Sequence, residues 1–445
     1  MGRKMKDSGV EWIGDIPEDW QVGRLKHVCT INGRIGFRGY TQADIVDEGE
    51  GAISLSPSNI SDTKMVYDKC TYISWDKYEE SPEIQIQDND ILMVKTGSSY
   101  GKCMMVDNLP QEATINPQLT VIRNKKISNG YLEHVLQSNI IKNQIELVVN
   151  GGTIPTMTQH DMYNFYLPIP SQECQEKIST YLNDKIKNYN KVISDIIVSI
   201  DTYKSLKQSL ITRAVTKGVR GRREMKDSGI EWIGHCPSDW ELRPFRYILK
   251  ERQEKNFPIK SKERLSLSID LGVTLYAEKT TNLDRFKDDF EQYKLAYPGD
   301  LVMNSMNMIV GASGVSDYFG CVSPVYYTFY DDTDNHVTAK FCEYIFRSRA
   351  MMRVLFSMGK GIYAIVRGDD RVNTCRLKVS KEDLKSLKLP LPSLDEQQEI
   401  VTYLDKKLSD IDTLIVKKEQ LVSELENYKK SLIYEYVTGK REVLA

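Results

Sequence analysis

Two long stretches of the chain place apolar side chains at intervals of three and four residues. The first set is Ile178, Leu182, Ile186, Tyr189, Ile193, Ile196, Ile200, Tyr203, Leu206 and Leu210. The same positions 222 residues later are Ile400, Leu404, Leu408, Ile411, Ile415, Lys418, Val422, Leu425, Tyr428 and Leu432, nine of them apolar. Such spacing predicts a continuous apolar stripe along a helix. With no proline after Pro170 or Pro392, each stretch predicts a helix of about 45 residues, or about 65–70 Å at 1.5 Å per residue.

A single amphipathic helix of that length cannot bury its own stripe. Two matched helices in one chain can bury each other's apolar stripes. The pattern therefore predicts that the two long helices pack together.

Shorter repeats show that the chain is a duplication. Residues 5–20 read MKDSGVEWIGDIPEDW and residues 225–240 read MKDSGIEWIGHCPSDW, with twelve of sixteen positions identical. Residues 167–171 (LPIPS) match residues 389–393 (LPLPS) just before the two helices. A fixed offset between repeats is typical of one structural unit written twice.

Between these repeats lie two diverged blocks, 21–166 and 241–388. Residues 90–93 (DILM) resemble residues 300–303 (DLVM), and each is followed by a strand-like run. Residues 158–161 and 380–383 both fit a capping box that begins a short helix. The blocks are thus predicted to share one fold and to present two different surfaces.

Composition and charge narrow the functional class. Hydrophobic residues make up 40% and charged residues 27%, as in a soluble globular protein. No apolar run reaches the length of a membrane span, and no apolar segment follows the basic N-terminus as in a secretory signal. Eight scattered cysteines without a CxxC pair predict reduced thiols in a cytoplasmic protein and argue against zinc.

The net charge of −2 does not by itself indicate a nucleic-acid-binding protein. Its distribution is uneven, however. Block 21–166 has 13 basic and 17 acidic residues, whereas block 241–388 has 24 basic and 20 acidic. Segment 167–224 has 11 basic and 6 acidic residues. Since phosphate contacts need only a local patch, the overall charge does not exclude DNA binding.

Motifs that suggest catalysis are incomplete. Residues 97–103 (GSSYGKC) approach a phosphate-binding P-loop, but are one residue short between the glycines and lack the Ser or Thr that holds magnesium. We interpret them as a turn between strands. HExxH, GxSxG and GxGxxG motifs are missing from the sequence in the required context, and residues 116–118 (NPQ) do not form the loop of an adenine methyltransferase. We therefore expect no catalytic residue and no metal site.

The arrangement of these repeats resembles the DNA-specificity subunits of type I restriction-modification systems. The resemblance is carried by Glu11–Gly14, Pro17, Asp19 and Trp20, and by their copies Glu231–Gly234, Pro237, Asp239 and Trp240. It extends to residues 389–393 with Glu396 and Gln397, and to residues 431–433 with 437–440. The first copy departs from the pattern at Cys174, where the family favours Glu.

The resemblance implies an α+β fold with a pseudo-two-fold internal repeat. Two similar globular target-recognition domains would be separated by two long antiparallel coiled-coil helices. The implied segments are recognition domain 1 at 1–166, helix 1 at 167–219, recognition domain 2 at 220–388 and helix 2 at 389–445.

The implied function is non-catalytic. Each domain would read one half of a bipartite site on double-stranded DNA, and the helices would dock two methyltransferase subunits. Those partners would use S-adenosylmethionine. Restriction/translocase subunits would use ATP and magnesium, while this chain would hold no cofactor itself.

Candidate DNA contacts are polar residues of loops, because bases are read by Arg, Lys, Asn, Gln, Ser and Thr. They come from the loop after the shared strand in each block, from residues 33–40 (GRIGFRGY), a glycine-rich, basic and aromatic loop that suits a nucleic-acid surface, and from residues 360–371 of the second block. In the first block they are Arg34, Arg38, Tyr40, Lys95, Thr96, Ser98, Ser99, Tyr100 and Lys102. In the second block they are Asn304, Ser305, Asn307, Ser313, Lys360, Tyr363, Arg367 and Arg371. We call residues 5–20 and their copy, residues 225–240, the repeated box. Its four tryptophans, Trp12, Trp20, Trp232 and Trp240, are expected to pack against the helices instead.

Two rival interpretations remain open from the sequence. One is a coiled-coil scaffold without a DNA role, although two diverged blocks on a shared frame argue against it. The other is a nucleotide-hydrolysing enzyme that uses Lys102 in the incomplete P-loop.

Overall fold

The computed structural model describes residues 3–36, 39–148, 155–279, 289–332, 336–362 and 376–443. They form two compact units. The first unit comprises the chain up to residue 197 together with residues from 419 onward, and the second unit comprises residues 198–418. Within the described ranges, no helix combines the length and hydropathy needed to cross a membrane.

The first unit contains a recognition block and parts of both long helices. Its strands are β1 (Met5–Asp7), β2 (Asp15–Pro17), β3 (Gln21–Arg24), β4 (Cys29–Gly33), β5 (Ile45–Val46), β6 (Gly51–Leu55), β7 (Thr71–Ser74), β8 (Ile91–Val94), β9 (Cys103–Met105), β10 (Ala113–Ile115), β11 (Leu119–Asn124) and β12 (Tyr166–Ile169). Its shorter helices are α1 (Trp75–Glu79), α2 (Asn129–Gln137), α3 (Asn139–Val148) and α4 (Gln159–Tyr163). The first long helix, α5, is Gln172–Lys217.

The second unit repeats this plan. Its strands are β13 (Met225–Asp227), β14 (His235–Pro237), β15 (Glu241–Pro244), β16 (Lys250–Glu251), β17 (Leu265–Ser268), β18 (Gly272–Leu275), β19 (Lys294–Ala296), β20 (Leu301–Asn304), β21 (Ser313–Val315), β22 (Gly320–Val322), β23 (Tyr326–Tyr330), β24 (Lys360–Ile362), β25 (Arg376–Lys378) and β26 (Lys388–Leu391). Its shorter helices are α6 (Tyr276–Lys279), α7 (Val337–Arg347), α8 (Arg349–Met358) and α9 (Lys381–Ser386), and the second long helix, α10, is Leu394–Val437.

The two blocks have the same central sheet. In the first unit the antiparallel strand order is β4-β11-β8-β9, and in the second it is β16-β23-β20-β21. Outside this sheet they differ: the first unit has a further sheet of order β10-β6-β7-β5, whereas the second has the pairs β17-β18 and β19-β22. The prediction of one fold with two diverged surfaces is thereby confirmed.

The shared Asp of the DILM and DLVM segments has a structural role in both units. Asp90 accepts a hydrogen bond from the backbone of Gln87 and pairs with Arg123 at 2.9 Å. Asp300 accepts one from the backbone of Tyr297 and pairs with Arg252 at 2.6 Å. These turns lead into β8 and β20, so the motif fixes the start of the strand that precedes each candidate loop.

The repeated box and the strand that follows it connect each block to the start of a long helix. β1 pairs with β2 and β13 with β14 in the same register, while β3 pairs with β12 and β15 with β26. The predicted helical segments 167–219 and 389–445 therefore begin with a strand, and the helices themselves begin at Gln172 and Leu394. The predicted capping box is present in full at the start of α4. At the start of α9, Ser380 Oγ accepts from the Asp383 N–H at 3.1 Å and donates to the Asp383 carboxylate at 2.7 Å.

The long helices run antiparallel, as the contacts inside each unit show. In the first unit Tyr181 lies against Tyr436 and Tyr189 against Tyr428, with ring centroids 4.7 and 5.5 Å apart. In the second unit the Lys418 ammonium lies 5.7 Å from the Tyr203 ring, and Lys207 pairs with Asp412 at 2.5 Å. Residue numbers thus rise along one helix as they fall along the other. The single polar residue of the predicted stripe, Lys418, is accommodated by an aromatic ring.

One matched pair of predicted stripe positions is not buried. Leu206 and its counterpart Tyr428 are 43% and 45% exposed. A step of three residues turns an α-helix about 60° short of a full turn. The side chain at 206 is therefore rotated away from the face presented by Tyr203, and these two positions lie at the edge of the buried stripe.

Each unit has one large apolar core that joins its block to the helices and a smaller core within the block. Trp20 and Trp240 are buried in the two large cores, and Trp12 and Trp232 are half-buried. The predicted packing role is confirmed for Trp20 and Trp240. Their surroundings differ, because Trp240 Nε1 donates to Glu396 at 3.1 Å while Trp20 Nε1 has no partner among the described residues.

Candidate nucleic-acid interface

The loop at 95–102 joins β8 to β9 in the first unit. Gly97 and Gly101 have φ of +109° and +80°, a region that glycine adopts without strain. The Tyr100 N–H donates to the Gly97 carbonyl at 3.2 Å, and the Lys102 N–H donates to the Ser99 carbonyl at 3.1 Å. A P-loop would lead into a helix, whose N-terminus binds phosphate. This loop leads into a strand, which confirms the interpretation as a turn.

Residues 155–157 support the loop from one side. The Gly97 N–H donates to the Pro155 carbonyl at 3.2 Å, the Met157 N–H donates to the Lys95 carbonyl at 2.8 Å, and Thr96 forms an isolated bridge with Thr156. These contacts therefore fix the backbone at the start of the loop, from Lys95 to Gly97.

Lys95 is the strongest candidate contact in this loop. Its side chain is half-buried, and burial lowers the pKa of its ammonium from the ordinary value. A Cβ added to Gly33 would lie 3.1 Å from Lys95 Nζ and 2.9 Å from Gln159 Nε2, so both side chains lie close to the Gly33 backbone. Among the described residues no carboxylate pairs with Lys95. A partly desolvated cation without a carboxylate favours an anion or a base acceptor as its ligand.

The remaining first-block candidates differ in their exposure and in their partners. Ser98 is exposed, and Thr96, Ser99 and Tyr100 are half-buried. Lys102 pairs with Asp62 at 2.8 Å. Tyr40 accepts a hydrogen bond from Ser54 Oγ at 3.2 Å. Arg38 lies outside the described residues.

Arg34 does not fit the predicted role. It is only 4% exposed, and its guanidinium donates to the Ile115 carbonyl at 2.9 Å and to Thr114 Oγ1 at 3.0 Å. These bonds tie the loop after β4 to β10. The prediction of a DNA contact is therefore corrected for Arg34, which supports the block instead.

The corresponding loop of the second unit follows β20 and has a different conformation. It forms a single 3₁₀ turn, Met308–Val310, which ends at Gly311 with φ of +89°. Asn307 is exposed and Asn304 is half-buried, and Asn304 Oδ1 accepts from the Met306 N–H at 3.0 Å. The two amides, which are suited to reading adenine, remain candidates.

Two serines of this loop are buried. Ser305 and Ser313 are both inaccessible to solvent. The Ser305 carbonyl accepts from the Val379 N–H at 3.0 Å, and Ser313 lies in β21 opposite Met303. Burial keeps both hydroxyls from DNA in this conformation, so the prediction is corrected at these positions.

The last group of candidates lies near β24. Lys360 is exposed and pairs with Asp383 at 3.5 Å. Tyr363, Arg367 and Arg371 lie outside the described residues. Lys360 is therefore the one candidate of this group whose surroundings are described.

Two glutamines were missed by the sequence reasoning. Gln118 is exposed, and its Nε2 lies 3.5 Å from the Cβ position of Gly97; Gln159 lies beside Lys95. Glutamine can pair with adenine through two hydrogen bonds. The sequence contained a signal for Gln118, which is a polar residue between Pro117 and the start of β11. It contained none for Gln159, which comes close to Lys95 only in the folded chain.

The residues that the structure describes contain no cluster of three or more His, Cys, Asp or Glu that could hold a metal ion. Lys95, Ser98, Gln118 and Gln159 form instead a polar surface at the end of the central sheet of the first unit. The second unit places Asn304 and Asn307 after the matching strand. Each unit thus presents its own set of hydrogen-bonding side chains on a shared frame.

A family model described as the type I restriction modification DNA specificity domain matches residues 17–201 and 362–425. This is more than half of the chain. The chain belongs to that specificity family. The rival interpretation as a scaffold without a DNA role is thereby contradicted.

Relatives and solved structures agree with the family over nearly the whole chain. The MjaVIII specificity subunit of a type I restriction enzyme from Methanocaldococcus jannaschii is 23% identical and covers 96% of this chain and 94% of its own. A chain from a study of complex assembly and conformational transition of the type I R-M system matches with a TM-score of 0.67 at 16% identity, over 96% of this chain and 99% of that one. The HsdS subunit of Thermoanaerobacter tengcongensis matches with a TM-score of 0.50 at 18% identity, over 96% and 98%. These structures support the fold of the specificity family.

Proposed function

We propose that this chain is the sequence-reading subunit of a type I restriction-modification complex and that each unit reads one half of a bipartite site on double-stranded DNA. One observation carries the proposal. The two units have the same four-stranded sheet order but different polar side chains after the matching strands β8 and β20. A shared frame with two different reading surfaces suits two different half-sites.

In this proposal the chain is not an enzyme and holds no cofactor. Residues 97–103, the segment most similar to a nucleotide-binding P-loop, form a turn between β8 and β9. This supports a DNA-binding role and not nucleotide hydrolysis. Methyltransferase subunits would supply S-adenosylmethionine chemistry, and restriction/translocase subunits would use ATP and magnesium. The complex would act on DNA in the cytoplasm.

Docking of two methyltransferase subunits on the long helices is part of the same proposal. On α10, Leu414, Leu421 and Tyr428 are exposed at intervals of seven residues. The interval of seven is the repeat by which helices associate side by side. On α5, Val192 and Leu206 are exposed at the positions that correspond to Leu414 and Tyr428. Exposed apolar residues at matching places on the two helices suit two copies of one partner helix.

The proposal is tested by selection of DNA from a random pool. The full chain, assembled with its methyltransferase subunit, is expected to enrich duplexes that contain two short defined sequences separated by a spacer of fixed length and free composition. Methyltransferase subunit alone serves as the control and should enrich no such motif. Enrichment of one uninterrupted sequence, or of none by the full complex, would contradict the proposal.

Lys95 provides a residue-level prediction for the first unit. Lys95→Met is expected to weaken binding to the selected duplex by about 1–3 kcal/mol, since the variant removes a cation that faces a base edge or a phosphate. Because burial lowers the Lys95 pKa, the difference between the wild-type chain and the variant should shrink as the pH rises through that lowered pKa. Binding is measured by fluorescence anisotropy across pH.

Lys126→Met is the matched control, because Lys126 is an exposed lysine of the same block, beyond the end of β11 that lies opposite to the loop at 95–102. It should bind within about 0.5 kcal/mol of the wild type, as is usual for a surface substitution away from a site. Equal decreases in affinity for the two variants would assign the effect of Lys95 to net charge alone.

A further inference from the structure

A groove in the second unit is lined by α5 on one side and by the first turns of α8 on the other. It has a volume of about 590 Å³. Its charged lining residues are Arg213 and Lys217 on α5 and Arg349 and Arg353 on α8. Within each pair the residues are four apart, so they lie on one face of their helix. Four cations thus face one groove, and no carboxylate belongs to its lining.

Three of these cations have no ion-pair partner among the described residues: Arg213, Arg349 and Arg353. All three are exposed. Lys217 differs, since its ammonium donates to the backbone carbonyls of Ile233 and His235 and so holds the box. Other arginines of this unit do form ion pairs, as Arg220 does with Glu399 at 2.8 Å and Arg252 with Asp300 at 2.6 Å. Like charges on neighbouring helix positions repel each other. Packing of the fold therefore does not explain why these three arginines lie together.

The first unit provides an internal comparison. Its α3 begins after Ser138 as α8 begins after Ser348, which places Asn139 and Asn143 where Arg349 and Arg353 stand. On the long helices Glu435 corresponds to Arg213. Glu435 lies 3.5 Å from Arg441. The shared frame therefore folds without these cations, and they are a feature of the second unit alone.

The chemistry of the groove fits a phosphodiester. Guanidinium groups bind phosphate oxygens through paired N–H donors. Ser209 and Thr212 also line the α5 side and add hydroxyl donors. We propose that this groove binds the backbone phosphates of DNA next to the half-site read by the second unit. The inference rests on the proposed function, and it adds interactions that position DNA without reading its sequence.

Charge along the chain agrees with this assignment. Block 21–166 has four more acidic than basic residues, whereas block 241–388 has four more basic than acidic. Non-specific affinity depends on the phosphates neutralised by Lys and Arg. The second unit therefore contributes the larger share of the phosphate binding, and the groove is where three of its unpaired cations converge.

The test uses the full chain assembled with its methyltransferase subunit and a triple variant, R213Q/R349Q/R353Q. Binding to the selected duplex and to a scrambled duplex is measured over a range of salt concentrations. The slope of log affinity against log salt is expected to fall by about 0.9 for each phosphate that the protein no longer neutralises, and therefore by roughly 1–2. Affinity at low salt should drop on the order of tenfold for both duplexes. The selected sequence should stay unchanged.

The matched control is K406Q/K407Q/K417Q, which removes the same charge from exposed lysines of α10 in the same unit. Its salt slope should stay close to that of the wild type. Because the arginines repel one another, the groove variant should unfold at the same temperature as the wild type or a higher one, which separates weaker binding from impaired folding.

Three of the other outcomes overturn the inference, and one overturns the proposed reading function instead. Equal slope changes in the two variants would make the effect one of bulk charge. An unchanged slope together with dissociation of the methyltransferase subunit would make the groove a docking site for an acidic protein segment. If the wild type binds both duplexes equally and the groove variant still lowers the slope, the groove stands and the proposed reading function fails. If the wild type prefers its selected duplex and the groove variant has the same salt slope and affinity as the wild type, the proposed reading function stands and the groove proposal fails.

Discussion

Replacing Glu396 with alanine is expected to lower the free energy of unfolding of the second unit by about 3–5 kcal/mol, the usual cost of removing one partner from a buried ion pair. The Glu396 carboxylate is 1% exposed and accepts from Arg223 Nη1 at 3.0 Å and from Trp240 Nε1 at 3.1 Å. Alanine would leave the buried Trp240 N–H without an acceptor and the Arg223 guanidinium without its main partner. It would also loosen the packing of the repeated box against α10.

The first unit contains the matched control. Cys174 occupies the position of Glu396, Arg3 pairs there with Asp19 at 3.2 Å, and Trp20 Nε1 already lacks a partner among the described residues. Cys174→Ala breaks no ion pair, so its expected cost is at most about 1 kcal/mol. Urea unfolding gives the total effect, and hydrogen exchange of peptides from each unit shows where it arises. Similar destabilisation by the two variants, or an E396A chain as stable as the wild type, would contradict this account of the cluster.

The frame of this protein could be predicted from the sequence because its signals are local and repeated. The stripe from Ile178 to Leu210 and its copy defined both helices, and the two boxes defined the blocks. Cys174 also stood out as a departure from the pattern. The consequence of that departure, an unpartnered Trp20 N–H among the described residues, required the three-dimensional arrangement.

The candidate site was less predictable, because its side chains depend on interactions with residues distant in sequence. Arg34 lies in a glycine-rich, basic loop typical of a nucleic-acid surface, yet its guanidinium donates to residues about 80 positions away on β10. Ser305 and Ser313 are polar residues in a loop that buries them. Gln159 approaches Lys95 only because α4 packs near β4. Periodicity indicates which face of an element is buried, but not how a loop folds back.

Exchange of one block is expected to replace one half of the recognised sequence completely and to leave the other half unchanged. The structure places the junctions. β3 pairs with β12 from Gln21 opposite Ile169 to Arg24 opposite Tyr166. Replacing residues 25–165 keeps this pair, the box and both long helices intact. A block from a relative with a different first half-site can then fold onto the same frame, because the central sheet order is common to both units.

The decisive measurement is the sequence motif methylated by the complete complex before and after this exchange, read from the modified bases of genomic DNA. Two reading units on one frame predict a bipartite motif in both cases, with the first half changed, the second half identical and the spacer length unchanged. A motif in which both halves change, or which is continuous rather than bipartite, would contradict the claim that each unit reads its own half-site.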